Sequence, residues 1–143
     1  MRPLIEPELY KKIVDSVPLL TVDIIVKYQD KYVLVKRKNE PLKDFYWVMG
    51  GRVYKDESLW ESAMRKVYEE IGCRVSDLEM VGVYEDSYSE SAFGVPTHTA
   101  SIVFIAEVSG EIKLDATSED WILSGTLPAR FVSKLVTWNT IKN

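Results

Sequence analysis

The segment from Gly51 to Cys73, GRVYKDESLWESAMRKVYEEIGC, constrains the fold of this chain more than any other part of the sequence. Asp56 or Ser58 can cap a helix at its start, and Gly72 is a residue that ends helices. Apolar residues recur at helical spacing between these signals, at Leu59, Ala63, Val67 and Ile71. We therefore expect an amphipathic helix over about 56–72.

Charged residues within this segment recur at helical intervals. Lys66 and Glu70 are four positions apart and share one face of the predicted helix, while Arg65 precedes Glu69 by the same interval. Mg²⁺ binds a few carboxylates, keeps some of its waters and takes substrate phosphates as further ligands. Gly50 and its glycine neighbour let a backbone carbonyl approach the same point. The pattern thus suits a site for a metal ion and a phosphate.

The whole segment 51–73 resembles the Nudix box, the sequence motif of the Nudix hydrolases. The residues that match it are Gly51, Glu57, Arg65, Val67, Glu69, Glu70, Gly72 and Cys73. Lys66 departs from the motif, because most members have their first motif glutamate there. An ordinary amphipathic helix with a solvated acidic face accounts for each glutamate singly. It does not account for the double glycine or for the spacing of all the matches.

This resemblance implies both a fold and a metal. The fold is α/β, with a mixed β-sheet sandwiched between α-helices in an α-β-α arrangement. The cofactor is Mg²⁺ or Mn²⁺, and the resemblance assigns Gly50, through its carbonyl, and Glu70 to it, with Glu69 as a further ligand. Glu57 and Arg65 are expected to support these ligands.

Segments outside the box resemble one branch of the family, the GDP-mannose mannosyl hydrolases. The resemblance covers most of residues 9–108 and is clearest at 17–23, 35–37, 45–47 and 50–57. That branch also lacks the first motif glutamate. It is understood to attack the anomeric carbon of the sugar, with inversion, and to release the nucleoside diphosphate. The resemblance thus implies a small nucleotide-sugar substrate, GDP-mannose above all.

The same branch implies roles for residues before the helix. Arg37 and Arg52 are expected to bind the diphosphate and assist catalysis, since guanidinium groups match phosphate oxygens, and Lys36 is expected to bind substrate beside them. Asp23 is expected to face the substrate and to be catalytic, because a charge inside an apolar run is unusual. Without the box, Arg37 would be better explained as a surface cation of the hairpin, beside Lys36 and Lys38, and Asp23 would suit a polar position on an edge strand.

A late acidic loop is expected to supply the general base. The branch uses a histidine there, but the loop over 115–121 reads DATSEDW and places Ser118 at the histidine position. Serine cannot act as a base at neutral pH, so we expect Glu119 to do so, with Asp120 as the alternative. A solvated acidic turn explains the loop equally well. His98, the single histidine, is interpreted as structural or as a surface residue.

The rest of the chain predicts a mixture of strands and helices in a single domain, 1–143. A short N-terminal helix is expected over about 6–17, and a last helix from Thr126, with Pro128 just inside it, to about Trp138. The strands are expected at 19–28, 32–36, 45–49, 75–88, 97–108 and 121–123, with a turn at 29–31 and the third strand stopped by Gly50–Gly51.

Composition narrows the classes of partner. The net charge of −4 argues against a nucleic-acid-binding protein, which normally shows a basic face. No run approaches the roughly 18 apolar residues of a membrane span. One cysteine, Cys73, excludes an intramolecular disulfide, and a cytoplasmic protein is expected. The N-terminal helix and the branch together favour a homodimer.

Three hypotheses for function follow. The first is Mg²⁺-dependent hydrolysis of GDP-mannose to GDP and mannose by attack at the anomeric carbon. The second is a Nudix pyrophosphohydrolase that cleaves the phosphoanhydride of a nucleotide sugar or a nucleoside triphosphate. The third is a Nudix domain that binds a nucleotide sugar without turnover. The absence of the first motif glutamate and of the loop histidine favours the third. The residues that argue against it are the double glycine, Arg52, Arg65, Glu69 and Glu70.

Overall fold

Strands outnumber helices along the chain. The computed structural model describes residues 5–114 and 118–139, with 118 and 119 described by their backbone alone. The elements are α1 (Pro7–Ser16), β1 (Leu19–Tyr28), β2 (Lys31–Arg37), β3 (Tyr46–Trp47), β4 (Met49–Arg52), α2 (Leu59–Ile71), β5 (Arg74–Tyr88), β6 (Thr97–Ser109), β7 (Ser118–Ser124), α3 (Ala129–Lys134) and β8 (Leu135–Thr137). None of the helices in these ranges is long and apolar enough to cross a membrane.

All the strands join one mixed sheet around β1. Its order is β3-β2-β1-β6-β5-β8, with β4 also paired to β1 and β7 to β2. β1 runs parallel to β6 and antiparallel to β2 and β4. The first half of β1 pairs with β4, so the residues after the first strand and those before α2 meet at one place.

Helices cover both faces of the sheet, which confirms the expected α-β-α fold. One face packs against α2 through Ala63, Val67 and Ile71, together with Val22, Ile24 and Val26 of β1. The other face packs against Phe131 of α3, together with Ile25, Leu34, Trp47, Val48, Tyr84 and Val103. Because side chains alternate along a strand, Asp23 lies on the α3 side of β1 and not under α2.

Helix α2 forms where the sequence predicts it. The Ser58 hydroxyl accepts a hydrogen bond from the backbone N–H of Glu61 at 3.0 Å and so caps the first turn. Gly72 ends the helix with φ of 69°, a left-handed conformation that glycine adopts at little cost. The helix begins at Leu59, so Ser58 is the cap and Asp56 is not.

The glycine pair does not stop a strand, contrary to the expectation. The predicted strand at 45–49 is divided into β3 and β4, and both glycines lie inside β4, where Gly50 pairs with Asp23 and Gly51 with Val22. A Cβ at Gly50 would overlap Asp23 Oδ1 and would lie 2.6 Å from the Val22 carbonyl oxygen. Glycine is therefore required for close strand packing and not for a turn.

The last helix is much shorter than predicted. α3 ends at Lys134, and β8 follows and pairs with β5. Thr126 does not cap it, because the helix begins at Ala129 and Pro128, expected just inside the helix, is its N-cap residue. Phe131 is its one buried residue among those described, and the apolar β-branched stretch after it suits a strand better than a helix.

Candidate active site

Two adjoining cavities open beside β1 and β4. The charged cavity has a volume of about 160 Å³ and is lined by Val35, Arg37, Lys38, Asn39, Val48, Gly50, Lys66 and Glu70. The aromatic cavity has a volume of about 220 Å³, and its walls include Tyr10, Trp47, Tyr84, Tyr88 and Phe93, with Asp23 among the polar lining residues. The two cavities share Arg37, Val48 and Gly50 and so adjoin each other at these residues.

Cations outnumber acids in the charged cavity. Glu70 is the one acidic residue among its lining residues, and it is buried. It faces three cations, Arg37, Lys38 and Lys66, which together favour an anion such as a phosphate. The fixed helical interval between Lys66 and Glu70 explains why both reach this cavity.

Arg65 braces the cavity from outside. Its Nε donates to Glu57 Oε2 at 2.6 Å and its Nη2 donates to the Arg52 carbonyl oxygen at 3.2 Å, so it ties α2 to the end of β4. The hydrogen bond from Arg65 to the Glu57 carboxylate holds the pKa of Glu57 below its usual range. Glu69 Oε2 accepts from Arg65 Nη1 at 3.3 Å. Arg65 thus joins Glu57, Glu69 and the end of β4; its support of the metal ligands stays a prediction.

The expected metal ligands separate into two groups. Gly50 and Glu70 line the charged cavity together, whereas Glu69 turns towards Arg65 and is not among the lining residues. Among the described residues, no group of three or more histidine, cysteine, aspartate or glutamate side chains is placed to hold a metal. One carboxylate and a nearby carbonyl fit a cation such as Mg²⁺ that takes further ligands from water and phosphate, and not a cation caged by protein alone.

Arg37 lies where the two cavities adjoin, and Asp23 lines the aromatic cavity. Arg37 Nε donates to the Pro41 carbonyl oxygen at 2.7 Å, which holds the guanidinium at the junction. Asp23 lies opposite Gly50 in the strand pairing. Burial raises the pKa of Asp23 to about 6, although the Ser101 hydroxyl and the Arg37 charge lower it.

Arg52 and Lys36 lie outside the lining of both cavities. The Arg52 guanidinium carbon is 5.4 Å from the ring centre of Tyr10 and 4.9 Å from that of Tyr54, so Arg52 is held between two aromatic rings. Lys36 pairs with Tyr46 across the β2–β3 ladder, where its charge lowers the pKa of Asp120. Arg37 therefore lies at the cavities, whereas Arg52 would have to move away from the rings of Tyr10 and Tyr54 to reach them.

The late acidic loop approaches Arg37. The β2–β7 pairing places Ser118 opposite Arg37, so the backbone of the loop ends beside the junction of the cavities. The side chain of Glu119, the expected base, lies outside the described residues. Asp120 Oδ2 accepts a hydrogen bond from the Tyr46 hydroxyl at 2.9 Å. The Trp121 N–H and this hydroxyl lower the pKa of Asp120.

His98 is not part of the site. Its Nε2 lies 2.6 Å from Glu85 Oε2, and both side chains are exposed at the surface. It is not among the residues that line either cavity. This position agrees with its interpretation as a structural or surface residue.

The aromatic wall was not anticipated from the sequence. Tyr84 donates to Asp86 Oδ2 at 2.6 Å and also lies 3.2 Å, oxygen to oxygen, from the Tyr88 hydroxyl. Asp86 accepts two hydrogen bonds from Arg130, at 2.8 and 2.9 Å, and its Oδ1 lies 3.2 Å from Lys134 Nζ. Burial by itself would raise the pKa of Asp86. The hydrogen-bond donors together have the larger effect and hold this pKa well below its usual range. The sequence signal that could have predicted this aromatic wall is an acidic residue between two tyrosines at alternate positions of one strand, Tyr84, Asp86 and Tyr88.

The fold and motif have counterparts among known proteins. The NUDIX domain family matches residues 17–133. The chain is 34% identical over 82 residues to the low-salt glycan biosynthesis protein Agl8 of Haloferax volcanii. The aligned region covers 57% of this chain and 53% of that protein. It is 33% identical over 114 residues to the ADP-ribose pyrophosphatase of Methanocaldococcus jannaschii, which covers 78% and 65%. The chain thus spans about half to two thirds of these relatives' length.

A solved structure shows the same fold. The MutT NUDIX hydrolase from Burkholderia pseudomallei superposes with a TM-score of 0.70 at 20% identity, over 83% of this chain and 96% of that chain. At this identity the likeness concerns the fold alone. Nudix hydrolases generally use Mg²⁺ or Mn²⁺, which agrees with the donors of the charged cavity. The match across the central 117 residues, together with the motif and the sheet, shows that the chain belongs to the Nudix family.

Proposed function

We propose that this protein is a Mg²⁺-dependent hydrolase of nucleoside diphosphate sugars, with GDP-mannose, cleaved to GDP and mannose, as its substrate. The observation that carries the proposal is the meeting of the charged and aromatic cavities at Arg37 and Gly50. A nucleoside diphosphate sugar has a doubly charged diphosphate between two ring systems. Such a molecule needs a cationic cleft joined to an aromatic one.

The proposed cleavage occurs at the sugar carbon. The oxygen of a water molecule bonds to the anomeric carbon, and the bond from that carbon to the bridging oxygen breaks. The bonding electron pair leaves with the nucleoside diphosphate, and the water proton passes to the base. This assignment is supported by Lys66, because the acid that most members place near phosphorus is replaced here by a cation.

Different residues of the chain are proposed for the different roles in this reaction. Glu70 and the carbonyl of Gly50 would hold the divalent cation, which neutralises charge on the leaving diphosphate. Arg37 binds the diphosphate from the junction, and Asp23 faces the sugar from the aromatic cavity. Glu119 is proposed as the base, and the pairing of its neighbour Ser118 with Arg37 supports its nearness to the site.

A second candidate is hydrolysis of the phosphoanhydride. It is favoured by the likeness to an ADP-ribose pyrophosphatase over 78% of this chain. That reaction would release a nucleoside monophosphate and a sugar phosphate. Binding without turnover is the third candidate, because Glu70 is the one carboxylate among the described residues that line the charged cavity.

Hydrolysis in ¹⁸O-labelled water separates these candidates. We expect the purified protein with Mg²⁺ and GDP-mannose to place the label in free mannose and none in GDP. Mass spectrometry of the products gives the position of the label, and a panel of other nucleotide sugars controls for substrate choice. Nucleoside monophosphate plus sugar 1-phosphate would refute cleavage at the sugar carbon. Binding with no turnover of any nucleotide sugar would refute an enzymatic role.

Replacing Arg37 by alanine should weaken binding of GDP. The loss of a charged hydrogen bond to phosphate is expected to cost about 1.5–3 kcal/mol of binding free energy. Isothermal titration of GDP with Mg²⁺ measures it, and Arg74→Ala, at an exposed position outside both cavities, is the matched control. Arg52→Ala tests the corresponding expectation for Arg52. Equal affinities in the wild type and Arg37→Ala would place Arg37 outside the binding site.

The quaternary structure and the cellular location stay predictions from the sequence. We expect a homodimer in the cytoplasm. The exposed apolar side chains of Leu9, Val17 and Leu20, around α1 and the start of β1, support a contact with a second copy. A monomeric mass by light scattering would contradict the dimer.

A further inference from the structure

Lys66 has a defined place in the charged cavity. It is on the face of α2 that also carries Glu70, and both side chains line the cavity. Its side chain passes over Gly51, where an added Cβ would lie 2.8 Å from Lys66 Cε and 3.4 Å from its Nζ. The Lys66 ammonium thus adds a positive charge to the lining of the cavity that Glu70 also lines.

The donors in this cavity suit one divalent cation and not two. Sites for two metal ions clamp both the attacking and the leaving oxygens, and each hard cation needs oxygen ligands. Here Glu70 is the one carboxylate among the lining residues, and Glu69 is directed to Arg65. A second cation would also lie close to the positive charge of Lys66.

We propose that the Lys66 ammonium contacts a phosphate oxygen of the substrate directly and takes the place of a second divalent cation in the charged cavity. The identity of the substrate rests on the proposed function, whereas the contact itself rests on the cavity. A lysine ammonium is a compact point charge with three donors and suits this role. Lys66 is therefore a substrate-contacting residue that sets affinity for the diphosphate and the number of metal ions bound.

Binding of inorganic pyrophosphate without metal tests the contact. In excess EDTA, isothermal titration should show that Lys66→Met weakens pyrophosphate binding about 10- to 100-fold, the size expected for one charged hydrogen bond. Lys27→Met is the matched control, because Lys27 is exposed on β1 and outside both cavities, and it should bind as the wild type does. Lys66→Gln provides a second variant without the charge, and thermal unfolding shows that each variant is folded. Equal affinities of the wild type and both Lys66 variants would overturn the proposal.

Counting metal ions tests the second half of the proposal. With Mn²⁺ and saturating pyrophosphate, electron paramagnetic resonance should count one bound Mn²⁺ per chain in the wild type. Lys66→Glu restores the acid of the usual motif and should bind more than one. Two Mn²⁺ ions in the wild type would overturn the proposal.

The outcome of these binding experiments does not depend on whether the proposed function is correct. A loss of pyrophosphate affinity in Lys66→Met supports the contact even if no nucleotide sugar is hydrolysed. Unchanged affinity refutes the contact even if GDP-mannose is hydrolysed as proposed. In the active enzyme, the contact predicts a higher KM for Lys66→Met with a smaller change in kcat, because Lys66 is not a proton acceptor.

Discussion

Replacing Glu70 by glutamine is expected to lower kcat by on the order of 10³-fold or more at saturating Mg²⁺, since several kcal/mol of charge stabilisation are lost and each 1.36 kcal/mol is tenfold in rate. Glu70 is the one carboxylate among the residues that line the charged cavity, and it lies among three cations. An amide keeps its size but removes its charge. The remaining carbonyl of Gly50 would hold a divalent cation poorly by itself.

The measurement is kcat for the substrate found in the labelling experiment, over a range of Mg²⁺ concentrations. Glu61→Gln is the matched control, because Glu61 is exposed in the first turn of the same helix and away from the cavities. We expect the control to keep its activity. Near-normal turnover of Glu70→Gln at saturating Mg²⁺ would show that the metal is held elsewhere.

Gly50→Ala is expected to damage both stability and activity. The added methyl group would overlap Asp23 Oδ1 and lie 2.6 Å from the carbonyl oxygen of Val22, which is backbone and cannot move aside. Overpacking of this kind costs about 1–3 kcal/mol of unfolding free energy, occasionally more. A displacement of about 1 Å at Gly50 and Asp23 would also lower turnover on the order of 10²-fold.

Gly125→Ala is the control for this substitution. A Cβ at Gly125 meets no atom within 4 Å, so both stability and turnover should stay near those of the wild type. Thermal unfolding and kcat for the two variants give the comparison. If Gly50→Ala unfolds at the wild-type temperature and keeps its turnover, β1 and β4 are not packed as closely as described.

Local signals in the sequence were sufficient to predict the structure at the centre of the molecule. Capping by Ser58 and termination by Gly72 depend on residues within the helix itself, and α2 forms between them. The meeting of Gly50 and Glu70 in one cavity followed from a motif whose spacing fixes both elements. The turn at 29–31 was also predicted, because it joins two strands that are adjacent in the chain.

Features that depend on distant residues could not be predicted in this way. The glycine pair became part of β4 because its neighbour across the sheet, Asp23, comes from 27 positions earlier. The aromatic cavity gathers α1, β3, β5 and a loop that no local pattern connects. The ion pair of Glu69 with Arg65, outside the lining of the charged cavity, could not be chosen from spacing alone.

The hydroxyl network behind the aromatic wall has a consequence for selectivity. Tyr84 and Tyr88 are linked through Asp86 to Arg130, so their rings are ordered before any ligand arrives. Ordering a side chain on binding costs about 0.5–1.5 kcal/mol, and a wall that is already rigid avoids that cost. Such a preorganised wall discriminates by shape, because it cannot readjust around a poorly fitting ring. Under the proposed function, we therefore expect Tyr84 and Tyr88 to set the selectivity for the part of the substrate that is not phosphate.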